Sequence, residues 1–406
     1  MAITGATYST IAKALKTQYL PVLQKQIEKE VQTYDLFKKE SEGVNSQDFY
    51  IKMFKSYPQG VGPAARGEAL PTPSPAGYEE AKVYTKDNYG VVEFDAKIED
   101  EGSGIVDIID FEMEAMQESF IKELNFQLAY GGPSGARSTV VSLASQVITV
   151  DAPVGRETEF IYPNMYIDVY NGASVRQAGL KVTIVNKTTK EITVVGTTTG
   201  IVDNDVIYRA GAKDLSVMGL NTLIGNTGTI QNIDSAAAGN DWWQSIVVDK
   251  SAKWGTSAAD FLDSIQDIID QVELQGPNSK INLIYAWPLF TRQYVSVLEA
   301  KRQIVNTLEF KAGRKGIAYV NVDREIPILK DRYLPYYTVF FLDTTKIKIY
   351  TQKGIHWEEK GGGILKVLER KDIYTAWLKF YAEMGTVQRN SHGKWTNTGS
   401  SVGDYT

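Results

Sequence analysis

Residues Ser103 to Tyr130 read SGIVDIIDFEMEAMQESFIKELNFQLAY, and within them Ile105, Ile109, Met113, Met116, Phe120, Leu124 and Leu128 recur every three or four positions. That spacing draws one apolar stripe along an α-helix, and no interior Gly or Pro interrupts it. Ser103 is placed to cap the start, Asp107 and Asp110 suit the positive end of the helix dipole, and Gly131-Gly132-Pro133 ends the run. At 1.5 Å per residue such a helix is roughly 40 Å long, the length of a spine rather than of an ordinary packing element.

Upstream of it, Phe49 to Lys55 (FYIKMFK) reads as a strand, and Val92, Phe94, Ala96 and Ile98 alternate with Val91, Glu93, Asp95 and Lys97 as a second. The two are expected to form a long hairpin. Between them, Tyr57 to Gly77 holds Pro58, Pro63, Pro71, Pro73 and Pro75 together with Gly60, Gly62 and Gly67. That is too punctuated for a helix or a central strand, so the segment is expected to project as an extended loop. Loops of such length in compact domains are usually functional, and Val61 and Leu70 would be better buried against a neighbour. Further upstream, Ile11, Leu15, Tyr19, Leu23, Ile27, Val31 and Tyr34 mark a helical face kinked at Pro21, either an arm that packs on something else or an ordinary first helix.

Downstream, Val147 to Val150, Met165 to Tyr170, Leu180 to Val185, Glu191 to Val195 and Asp205 to Tyr208 are short β-type runs separated by turn residues. They predict a small barrel or sandwich inserted whole. Beyond it, a helical pattern over Ala258 to Leu274, an apolar run Ile281 to Ala286, a helix opening at Pro288, and apolar runs Ile317 to Val322 and Tyr337 to Asp343 alternate as in an α/β core. Lys346 to Tyr350, Ile364 to Glu369 and Thr375 to Val387 read as long strands of a closing antiparallel sheet. In the last, Ala376, Leu378, Phe380, Ala382 and Met384 alternate with Trp377, Lys379, Tyr381 and Glu383. The fold class is α+β, one protomer built from interleaved parts.

The 406 residues are 43% apolar and 23% charged, which suits a globular chain with a sizeable core. A net charge of −6 does not suit a protein whose main work is gripping phosphates. The absence of Cys excludes thiol catalysis, disulfides and cysteine-ligated zinc. The start, MAITGATYSTIAKALK, has no continuous apolar run, and no stretch approaches the roughly 18 apolar residues of a membrane span, so a soluble chain off the membrane is expected. Only His356 and His392 offer imidazole, and both read as incidental. Phosphate-loop and nucleophile-elbow patterns are missing. Asp203-Asn204-Asp205 lacks the Gly and closing Glu of a calcium loop and reads as a tight turn, while Glu99-Asp100-Glu101 reads as a solvated run before the spine. No catalytic residue, cofactor or metal site is expected. Lys311, Arg314 and Lys315 make one local basic cluster, a surface loop or a contact to an acidic neighbour.

An arm, a projecting hairpin loop, a spine helix, a mixed α/β module and a return through long strands is, in that order, the layout of the major capsid proteins of tailed double-stranded DNA bacteriophages, the Johnson fold of the Hong Kong phage type. The sequence also resembles that family locally, in GEALPTPSPAGYEEAKVY (67–84), IVDIIDFEMEAMQESFIKELNFQLAYGG (105–132), IPILKDRYLPYYTVFFLDTTKIKIY (326–350) and WLKFYAEMGTVQRNSHGKWTNT (377–398). The resemblance implies an N-terminal arm over 1–46, an extended loop over 47–97, and a peripheral domain from 98–134 and 346–406 that ends in the tail. It implies an axial domain over 135–345 carrying an inserted β-module at 147–212.

By the same resemblance, subunits self-assemble as hexamers and pentamers into an icosahedral head, with the extended loop reaching over a neighbour. The shell encloses double-stranded DNA without sequence-specific binding, is assembled in the host cytoplasm and resides in the virion. A separate scaffold protein, a portal and a decoration protein are the implied partners, and no enzymatic activity is implied. Arg66, Glu68 and Leu70 in the loop, with Lys311, Arg314 and Lys315, are the expected subunit-interface residues. The spine carries Asp107, Asp110, Glu112, Glu114, Glu118 and Glu123 against Lys122, an acidic face expected to point inward and repel DNA. Two other readings stay open: an encapsulin-like compartment around a cargo enzyme, and an adhesin whose β-module binds glycan through Tyr162, Tyr166 and Tyr170.

Overall fold

The computed structural model describes residues 32–41, 48–67, 69–95, 105–151, 158–250, 258–276, 278–300, 307–309, 315–321, 324–359, 366–367 and 373–396. Most of the expected arm, Glu99-Asp100-Glu101, Ser103, Glu68, Lys311 and Arg314 lie outside the described residues.

After α1 (Gln32–Leu36) and β1 (Lys38–Glu40), β2 (Asp48–Ser56) and β3 (Gly77–Tyr84) form a two-stranded hairpin, and β4 (Lys86–Asp95) follows. This corrects the expected pairing. The alternating run at Val91 to Asp95 lies in β4, which pairs with a late strand in another sheet, and the true partner of β2 is GYEEAKVY. Alternation reports which face a strand buries, not which strand lies beside it.

The apolar stripe folds as α2 (Ile105–Asn125) and continues as one π turn, Phe126–Tyr130, whose five residues are all buried. Met113, Phe120, Ile121, Leu124 and Leu128 are buried, while Glu112, Glu114, Glu118 and Lys122 are exposed. Past Gly131 the chain turns sharply, and Gly219 lies so close that a Cβ there would collide with the Gly131 carbonyl oxygen.

β5 (Ala136–Ala144), β6 (Val147–Asp151), β7 (Tyr166–Asn171), β8 (Ser174–Asn186), β9 (Glu191–Val195) and β10 (Val206–Arg209) close into a barrel in the order β10-β5-β6-β9-β8-β7. The module therefore begins at Ala136, and the expected span from 147 omitted its first strand. Inward residues such as Val140, Ile148, Ile167, Val182 and Ile192 are fully buried and form a core separate from that of the rest of the molecule. Closure leaves no open edge. Asp203-Asn204-Asp205 is the tight turn expected: Asn204 has φ 67°, and the buried Asp205 accepts from the Val202 amide at 2.9 Å and the Asn171 side chain at 2.9 Å.

Then come α3 (Leu220–Leu223), β11 (Thr229–Ile230), β12 (Ile233–Asp234), β13 (Ile246–Asp249), α4 (Ala258–Gln275), β14 (Leu283–Ala286), α5 (Pro288–Ala300), β15 (Thr307–Glu309), β16 (Lys315–Val320), β17 (Glu325–Lys330), β18 (Val339–Leu342), β19 (Ile347–Trp357), β20 (Lys366–Val367), β21 (Ile373–Thr386) and β22 (Gly393–Thr396). A seven-stranded mixed sheet runs β13-β22-β18-β14-β17-β16-β15, with β13 parallel to β22 and β14 parallel to β17. β14 and β18, LIYA and VFFL, are buried at every position, the pattern of strands covered on both faces. The segment 393–396, which the resemblance assigned to the peripheral domain and tail and which was not read as a strand, enters this sheet as β22. There Trp395 packs on Phe341 at 4.8 Å between ring centres, and Gly393 leaves room for Ile268 of α4.

The remaining sheet is organised by β21, which pairs with β19, β20 and β4. β1 adds parallel to β19. Ala376, Leu378, Phe380, Ala382 and Met384 are fully buried, and one continuous core joins this sheet, α2 and the seven-stranded sheet.

Candidate assembly interface

The hairpin has two unlike faces because its sequence alternates. Met53, Ala81 and Val83 point inward and are buried, and Phe49 packs against Tyr350 at 4.5 Å. On the other face Tyr50 is 59% exposed and Tyr78 72%, with Phe54 and Tyr84 also exposed. Tyr50 lies across from Lys82, Lys52 from Glu80, and Phe54 from Tyr78. The Lys82 ammonium sits 4.4 Å from the Tyr84 ring centre and 5.6 Å from that of Tyr50. Phe54 meets Tyr57 and Tyr78 edge-on, at 4.8 and 6.0 Å. An aromatic ladder of this kind is normally covered, and here it faces outward.

Beyond the paired strands, prolines remove the ladder donors, yet the two legs of the loop stay side by side: Gly60 abuts Pro73, and Gly62 abuts Pro71. Arg66, in the turn at the tip, is exposed, and Leu70 is 83% exposed. Lys315 is on a different element, opening β16 opposite Glu309 at the far end of the seven-stranded sheet. The structure therefore places Arg66 and Leu70 on one loop and Lys315 on a different element.

A two-stranded hairpin is marginal alone, and this one is held from behind. The β11–β12 connection is the two residues Gln231 and Asn232, with φ 52° and 67°, a type I′ geometry. Its Gln231 carbonyl accepts from the Lys82 amide of β3 at 2.9 Å, while its side-chain oxygen accepts from the Thr386 amide of β21 at 3.1 Å. Further out, the Lys55 ammonium bonds Glu79 at 3.3 Å and Asn240 at 3.2 Å. The hairpin is thus pinned on its inner face and bare on its outer one.

The barrel is anchored differently. Arg137 of β5, 1% exposed, donates to both oxygens of Glu123 on α2, at 2.7 and 2.5 Å, and to the Phe160 carbonyl at 2.8 Å. Arg209 of β10 donates to the same carboxylate at 2.8 Å. Burial would raise the Glu123 pKa, but the two guanidiniums outweigh it and hold the carboxyl at about 2. Glu123, expected on the open acidic face of the spine, is instead an internal ion-pair hub.

His392 is fully buried, 3.2 Å from the Thr386 hydroxyl, and accepts from the Asp343 amide. Its surroundings push its pKa down to about 3, so it is neutral and structural. Among the described residues no cluster of side chains has the makings of a metal site, and no helix is long and apolar enough to cross a membrane. Of the tyrosines proposed as a glycan platform, Tyr166 is exposed, whereas Tyr170 packs edge-on against Tyr208, 5.4 Å between ring centres. The aromatic face of the hairpin and the Glu123 hub were not singled out from sequence. The first was visible as alternate aromatics in DFYIKMFKS and GYEEAKVY; the second had no local signal.

No protein-family profile matches the chain, and no curated protein matches it. Among solved structures, the Cyanophage A-1(L) capsid asymmetric unit superposes with a TM-score of 0.52 over 97% of each chain, at 12% identity. The chain has a phage capsid fold. Looser likenesses run to the capsid of a native GTA particle, 10% identical over 90% of each chain with a TM-score of 0.49. The holo-SrpI encapsulin complex from Synechococcus elongatus is 11% identical, with 89% and 85% covered and a TM-score of 0.43.

Proposed function

We propose that this chain is a major capsid protein, a non-enzymatic shell subunit that assembles with copies of itself into the hexamers and pentamers of an icosahedral phage head. The observation that carries this reading is the hairpin of a capsid fold, pinned from behind, that leaves Tyr50, Phe54, Tyr78 and Tyr84 uncovered. In the shell that ladder lies on a neighbouring copy, with Arg66, Glu68 and Leu70 at the reaching tip and Lys311, Arg314 and Lys315 at a second contact. Weak single contacts suffice because each subunit makes several at once.

On this reading residues 47–84 are the extended loop. α2 and the β21 sheet form the peripheral domain, and the seven-stranded sheet forms the axial domain, from which the barrel projects. A separately encoded scaffold, a portal and a decoration protein complete the particle, which encloses double-stranded DNA and is built in the host cytoplasm. Negative-stain electron microscopy with light scattering on the purified chain tests the proposal. Shells, tubes or six-fold rings are expected from the wild type and only monomers from Phe54→Ser combined with Tyr78→Ser. A wild type that stays monomeric, alone and with lysate of its source, overturns it.

A further inference from the structure

The sheet organised by β21 buries Leu378 and Phe380 on one face, in the core it shares with α2, and its other face is uncovered. On that second face pairing sets Trp377 beside Val91, and Lys379 between Tyr89 and His356. Tyr89 is 55% exposed and Val91 46%, with Trp377 and Tyr381 half-buried beside them. The surface is held in shape before anything docks. Tyr89 and Tyr381 meet edge-on at 5.9 Å between ring centres, and the Trp377 indole N–H donates to the Thr375 hydroxyl at 3.1 Å. The Lys379 ammonium lies 5.7 Å from the Tyr89 ring centre and 5.4 Å from that of Trp377 while bonding Glu358 at 2.8 Å. Because Glu358 answers that charge, the centre of the face presents fixed aromatic and aliphatic surface rather than a free cation. Glu93, exposed two places beyond Val91 on the same face, has no cation bonded to it among the described residues.

The chain itself carries a segment of matching chemistry. In the loop at the end of the hairpin Pro58, Pro63, Pro73 and Pro75 are exposed, Val61 is 89% exposed and Leu70 83%, and Arg66 stands free at the tip. Extended proline-rich chain docks on aromatic surfaces at little ordering cost, since its φ angles are already set. Loop and face are both uncovered in one molecule, so they do not cover each other within it, and a contact between them joins two copies. Such a contact is heterologous: repeated, it runs round a ring instead of ending at a pair.

We propose that the proline-rich loop of one copy lies on the face of Tyr89, Val91 and Trp377 of the next, with Leu70 against Val91 and the Arg66 guanidinium against the Glu93 carboxylate. This rests on the shell reading and names the surface that receives the loop. The apolar part of the contact supplies burial, and the single ion pair at its end fixes the direction in which the loop lies.

The chain has no cysteine, so introduced cysteines report neighbours without background. Full chains carrying Leu70→Cys are mixed with full chains carrying Val91→Cys, assembled, treated with a short bismaleimide and digested for mass spectrometry. A peptide linking position 70 to position 91 is expected, and because each chain carries one cysteine that link is necessarily between copies. A yield no higher than with Val175→Cys, on the barrel and 54% exposed, in place of Val91→Cys overturns the proposal. Independently, Arg66→Glu is expected to raise the concentration for half-assembly at least about threefold, and adding Glu93→Arg to the same chain to restore it. Failure of Glu93→Arg to restore assembly also overturns the placement. Assembled particles without the link sink this inference and leave the shell reading standing, whereas a chain that never assembles sinks both.

Discussion

The barrel, tied to the spine through Glu123, and the hairpin, held by the β11–β12 turn, solve the problem of an exposed strand in opposite ways. The barrel closes on itself, buries its own core and hides every edge. The hairpin has Met53, Ala81 and Val83 for a core, borrows the β11–β12 turn for support, and leaves an aromatic face in water. A module that is complete alone adds a surface to the molecule. One that is incomplete alone implies something that completes it.

The largest effect that would sharpen the contrast is at the barrel's anchor. Glu123→Ala strands the buried Arg137 charge and is expected to cost about 3 to 5 kcal/mol in urea unfolding; a loss below about 1 kcal/mol would mean that barrel and spine are energetically independent. Because the Glu123 carboxyl is held at about 2, its contribution should be complete above its ordinary pKa near 4.5 and vanish as pH falls toward 2.

Next, Ile167→Ala in the barrel wall should cost about 2 to 5 kcal/mol. Hydrogen exchange in β2 and β3 should not change with it, and faster exchange there would break the picture of a self-contained barrel. Glu383, whose folded-state pKa is raised to about 8, should act in the opposite sense to Glu123. The folded state favours its protonated form, so stability should fall as pH rises from about 4.5 to 8, by on the order of a few kcal/mol, and Glu383→Gln should flatten that slope. The smallest change in subunit stability is expected from Phe54→Ser with Tyr78→Ser, within about 0.5 kcal/mol, although the same pair should abolish assembly. A large loss of stability would mean that the face is already covered within the subunit.

The spine was legible because its stripe runs unbroken from Ile105 to Leu128, and the barrel because its strands lie between clear turns. Other parts were hidden for physical reasons. β5 was missed because Arg137 and Ser138 are polar where a strand core is expected, and the structure uses that polarity to tie the barrel to Glu123 and to the Asp151 carbonyl. β3 was passed over in favour of β4 because Glu79 and Glu80 follow a proline-rich run. Glu383 fell on the polar side of an alternating strand, a position that reads as solvent. Burial there comes from segments around Met218 and Gln231, far away in sequence, which no local pattern reports.

β22 lies inside the seven-stranded sheet, between β13 and β18, both of which precede it in the chain. β13 pairs only with β22, so until the segment ending at Thr396 is in place β13 has no partner in the sheet and β18 stands as an open edge of backbone donors and acceptors. Until the ribosome has delivered that strand, the nascent subunit is a template for pairing with the wrong chain, and a cell making many copies at once would gain from keeping such chains apart.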